Sequence, residues 1–120
     1  MKPSKNKVHV PFYNDGICEV FKIVESDDVV TRIELEPTNR KITFKEIGVT
    51  DKLRSTLNSE NVDVQMKIRM PYVRKLIDTQ CVLKIEDTFF KVYNVYHFEN
   101  SDGFKESDLT LINWSDDFYE

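Results

Sequence analysis

Val62-Asp63-Val64-Gln65-Met66-Lys67-Ile68-Arg69-Met70 places an apolar side chain at every even position and a polar one at every odd position, with Pro71 directly behind. A β-strand sends successive side chains to opposite faces, so this alternation predicts a strand with one dry and one wet face. The chain is therefore read as mainly β. Residues before Val62 read as loop, and those after Cys81 read as further strands.

Working toward the C-terminus, Pro71 to Gln80 reads as a connecting loop carrying Arg74 and Lys75. Cys81 to Ile85 is a short strand, and Glu86-Asp87 a tight turn, with Asp87 suited to a left-handed conformation. Phe89 to Phe98 follows as a strand with bulk on both faces, which predicts cover on both sides. Glu99 to Gly103 turns the chain, and Leu109 to Ile112 returns antiparallel. Four strands joined in this way predict a meander that closes with an earlier hairpin into a small antiparallel β-barrel or sandwich.

That hairpin lies at Ile17 to Val24 and Val29 to Leu35, two Val- and Ile-rich runs separated by the polar Glu25-Ser26-Asp27-Asp28. Pro37-Thr38-Asn39 is expected to end the pairing. Residues 40–61 then form a long loop insertion. Ile42 to Phe44 allows a short strand, and Thr50 is placed to cap a short helix with Leu53 and Leu57 at i, i+4 spacing. Residues 1–14 read as an arm anchored by Phe12 and Tyr13, residues 15–112 as one domain, and 113–120 as a tail.

At 120 residues the chain suffices for one core. No stretch is long and apolar enough to span a bilayer, and no apolar segment follows the basic start, so neither membrane association nor export is expected. Cys18 and Cys81 sit in strand-like apolar runs and are expected as buried, reduced thiols. Charge is uneven. Residues 1–39 carry 5 basic and 7 acidic side chains, 40–75 carry 9 and 4, and 76–120 carry 3 and 10, within a chain of net charge −4. A basic middle and an acidic last third suit association through unlike faces; the plainer reading is that they neutralise each other within one fold.

Residues that carry chemistry are sparse. His9 and His97 have no partners at metal-box spacing, the serines lie outside any Gly-x-Ser-x-Gly elbow, and Gly16, Gly48 and Gly103 are too scattered for a phosphate loop. No enzyme activity, metal or cofactor is expected. The aromatic and basic residues interleaved at Phe89, Lys91 and Tyr93 support, as an alternative, an OB-like nucleic-acid-binding module; exposure of all three would favour it and burial would not.

Phe44 to Leu53, Val64 to Pro71, Cys81 to Asp87 with Phe90 to Val95, and Asp102 to Leu111 together resemble the head closure, or stopper, proteins of long-tailed bacteriophages, also called head-tail joining proteins. Arg69-Met70-Pro71 and Leu109-Thr110-Leu111 match that pattern. Phe90 replaces its core-strand tyrosine, and the preceding turn lacks the usual glycine. The resemblance implies a homo-oligomeric ring, a dodecamer, beneath the portal and adaptor in the virion neck. Tail proteins would dock below, and double-stranded DNA would pass through with weak, non-specific contact; assembly would take place in the bacterial host cytoplasm. On this reading Lys45, Lys52 and Arg54 are candidates to face the channel or a neighbouring subunit. Lys67 and Arg69 mark a candidate inter-subunit strand face, and Trp114, Phe118 and Tyr119 a C-terminal partner contact.

Overall fold

A computed structural model describes residues 11–25, 33–49 and 63–114. They form a small, mainly β domain of six antiparallel strands: β1 (Gly16–Glu25), β2 (Ile33–Ile47), β3 (Val64–Pro71), β4 (Cys81–Ile85), β5 (Thr88–Glu99) and β6 (Lys105–Asn113). The ladder runs β1-β2-β3-β6-β5-β4, and β4 pairs back onto β1 from Glu19–Lys84 to Lys22–Cys81, so the circuit of strands is closed.

The alternating stretch forms β3 and faces as its pattern requires. Val64, Ile68 and Met70 are buried, whereas Gln65 is exposed and Lys67 and Arg69 are half-buried. They join a core with Cys18, Val20, Phe44, Leu83, Val92, Leu109 and Leu111. Both cysteines are buried and unpaired.

The barrel of a four-strand meander plus a hairpin is corrected by the strand order. β3 forms no ladder with β4; it pairs with β2 over Lys45–Ile47 and with β6 from Val64 to Pro71, while β4 lies between β1 and β5. The cause lies in residues 72–80, too long for a hairpin turn. Their amides at Leu76 and Ile77 donate to the Val73 carbonyl in a compact turn, which buries Val73 and Ile77 against the core.

Pro37-Thr38-Asn39 does not end the pairing of β2. The register shifts there, from Val20–Arg40 to Phe21–Pro37, so Thr38 and Asn39 are extruded as a bulge. Asn39 absorbs the bend at φ 63°, and the Thr38 hydroxyl donates to the Val20 carbonyl at 2.8 Å. Residues 40–47, expected within a loop, are consequently strand. The proposed helix with Leu53 and Leu57 lies outside the described residues, as do Val29 and the turn at Ser26 to Asp28. β5 is also barer than expected, with Asn94 and Tyr96 exposed.

Candidate functional site: an outer sheet face and its cleft

Directly opposed residues on neighbouring strands share a face of the sheet. The register sets Lys45 on β2 against Arg69 on β3, Arg69 against Asp108 on β6, and Asp108 against Tyr96 on β5. Their neighbours Ile68 and Leu109 point into the core, so this row lies on the outside. Lys67 shares the face one step away, opposite Thr110.

Arg69 organises the row. Its Nε and Nη2 donate to the two Asp108 carboxylate oxygens at 2.7 and 3.0 Å, and its guanidinium lies 4.9 Å from the Phe98 ring centre. The hydrogen bond to Asp108 holds the Arg69 pKa above its ordinary value, against the lowering effect of burial. Tyr96 stacks on Phe98, with centroids 5.6 Å apart and planes at 13°. Glu106 is only 4% exposed; it accepts from the Tyr13 hydroxyl at 2.8 Å and from Asn100 Nδ2 at 3.0 Å. Burial first, then the bond to Glu106, raises the Tyr13 pKa.

The segment leading into β1 is held beside this face. Besides Tyr13, the Asp15 amide donates to the Phe44 carbonyl, and Asp15 Oδ2 accepts from the Glu46 amide, at 2.9 and 2.8 Å. Tyr13 is thus tied to β6, whereas Phe12 stands 72% exposed. Between this segment and the β5–β6 turn opens a cleft of about 570 Å³, whose walls include Phe12, Lys45, Arg69, Asn100 and Glu106.

On the other face of the same hairpin, His97 Nδ1 lies 2.6 Å from the hydroxyl oxygen of Ser107. A serine beside a histidine invites a nucleophilic reading. Ser107 is, however, completely buried, and its oxygen also accepts from the Val73 amide at 3.1 Å, so the pair ties the 72–80 connection to the hairpin. Tyr72 packs edge-on to His97 at 5.2 Å and lies under the Lys105 ammonium at 5.4 Å.

The structure therefore brings Lys45, Arg69 and Lys67 to one surface. Trp114 lies elsewhere, half-buried at the end of β6, with its amide donating to the Phe89 carbonyl at 3.4 Å. Lys52, Arg54, Phe118 and Tyr119 fall outside the described residues. Sequence reasoning missed Glu106, Asp108 and Thr110 as buried polar groups, because alternate polar residues on a returning strand look the same whether solvated or covered. The bases of β3 and the acids Glu106 and Asp108 of β6 were visible in the sequence, but not that the two strands pair.

The trio that bears on nucleic-acid stacking is half-buried. Phe89 packs edge-on against Phe21 at 5.5 Å, and the Lys91 ammonium donates to the Thr79 carbonyl at 2.9 Å, where burial lowers its pKa. Among the described residues, no three His, Cys, Asp or Glu side chains are grouped to hold a metal ion. No family model matches this chain, and no curated protein matches it.

Proposed function

We propose that this protein is a structural subunit of a bacteriophage head-tail connector. In this role it joins a ring below the portal and adaptor, closes the filled head and offers the tail its attachment surface. The observation that carries the reading is the outer row Lys45, Arg69, Asp108 and Tyr96, with Phe98 and Lys67 beside it. Tyrosine and arginine held on the two strands that flank β6 form a surface suited to docking a macromolecule, since rigid anchors lose little freedom on binding. The resemblance to stopper proteins, borne by Phe44 to Leu53 and by segments within β3 to β6, supplies the setting.

The basic middle and acidic last third meet in part within the fold, at the Arg69–Asp108 pair. The net charge of −4 disfavours tight phosphate binding by the chain as a whole, which suits a channel through which a duplex must slide, because many permanent phosphate contacts would oppose motion. Immunogold labelling of intact virions with antibody against this chain tests the proposal. Label at the junction of head and tail is the expected result; label confined to the capsid shell or tail tip, or none on the particle, would overturn it.

A further inference from the structure

A subunit in a ring needs two different surfaces that fit each other. The closed circuit places β1 three strands from β6, and β4 three strands from β3, so the β1–β4 side lies across the domain from the β3–β6 side. Both sides display an exposed apolar residue. Beside β6, Tyr96 on β5 is 61% exposed on its stack with Phe98; on β1, Ile17 is 56% exposed, pointing away from the buried Cys18.

Their unpaired charges differ in balance. Around Tyr96 the acids are already matched: Asp108 by Arg69, and the buried Glu106 by Tyr13 and Asn100. Lys45 and Lys67 make no ion pair among the described residues. Ile17 instead lines a shallow cleft of about 240 Å³ with Glu19, Lys41, Lys84, Glu86 and Asp87. There Lys84 is matched by Asp87 at 3.8 Å, while Glu19, Glu86 and Lys41 make no ion pair among the described residues, which leaves acids in excess by one.

We infer that the Ile17 cleft of one copy of this chain docks onto the Tyr96–Phe98 surface of a second copy. Glu19 and Glu86 of the first then face Lys45 and Lys67 of the second. The contact is heterologous, because the surfaces differ and lie on opposite sides, so repetition leads head to tail around a ring. A two-fold arrangement would set Lys45 and Lys67 against their own equivalents and lose the charge match. The inference rests on the ring-subunit reading for its closure and adds the surfaces that meet.

Cysteine pairing tests it with the full-length chain. Asn94→Cys stands beside Tyr96 on the exposed face, and Lys41→Cys lies opposite Glu19 in the Ile17 cleft. Oxidising a mixture of the two variants is expected to give a disulfide-linked dimer that neither variant forms alone. Adding Lys67→Glu to the Asn94→Cys chain should lower the yield about tenfold, and adding Glu86→Lys to its Lys41→Cys partner should restore it. Far-ultraviolet circular dichroism confirms that each variant is folded. No mixed dimer, equal dimer formation by a single variant, or a yield indifferent to the charge reversals would overturn the contact. Labelling away from the virion neck would instead remove the connector reading and leave the cross-link result standing.

Discussion

Arg69 holds a carboxylate, covers an aromatic ring and walls a cleft, all from one position on β3. Asp108→Ala strands that guanidinium with about 30% of its side chain still in solvent, so water repays part of the loss. Chemical unfolding should show a destabilisation of about 1–3 kcal/mol. Gly16 is constrained from the opposite direction. It pairs with Phe44 across β1 and β2, and a Cβ there would lie 2.7 Å from Phe44 Cζ. Gly16→Ala is therefore expected to cost about 1–3 kcal/mol by displacing a buried ring, read as a lowered urea midpoint. Cys18 adds a pH dependence, since burial pushes its thiol up to about 12 from an ordinary 9.0. The unfolded chain releases this proton first, so stability should fall as pH rises between those values, and less steeply in Cys18→Ala.

The β4–β5 turn shows how far the sequence was readable at the level of elements. Glu86-Asp87 was expected to turn tightly, and both residues adopt left-handed backbones, at φ 48° and 66°, between paired Ile85 and Thr88. Asp87→Gly removes the side-chain clash of that conformation and should raise stability by about 0.5–1 kcal/mol in thermal unfolding. The alternation of Val62 to Met70 likewise yields the strand and its dry face directly, because the period of two reports which side is buried. Pairing partners were not legible, since an alternating strand presents the same pattern to any neighbour. The sequence pattern suits a meander for β3, yet Lys45, Arg69 and Asp108 meet only because β3 lies between β2 and β6. The extension of β2 was hidden too: Pro37 and Asn39 signal a break, and only the bulge, bridged by Thr38, lets pairing resume at Arg40. Of the site, the basic members Lys45, Lys67 and Arg69 were visible as charges, while Tyr96, Phe98 and Glu106 entered through geometry.

At the scale of the whole molecule, the closed circuit of strands leaves the outside of the sheet to carry recognition. Opposed sides present an aromatic surface flanked by lysines and a cleft in which Ile17 sits among charged residues with acids in slight excess, an arrangement suited to neighbours in a ring. A net charge of −4 sets a further expectation for the isolated protein. Duplex DNA should be bound weakly and without sequence preference in a mobility-shift assay at physiological salt; a submicromolar affinity would favour a nucleic-acid module instead. The most direct measurement is electron microscopy of phage lysates in which the gene for this chain has been inactivated. Filled heads that leak their DNA, lying apart from complete tails, are the predicted outcome. Normally joined, infectious particles would contradict the account.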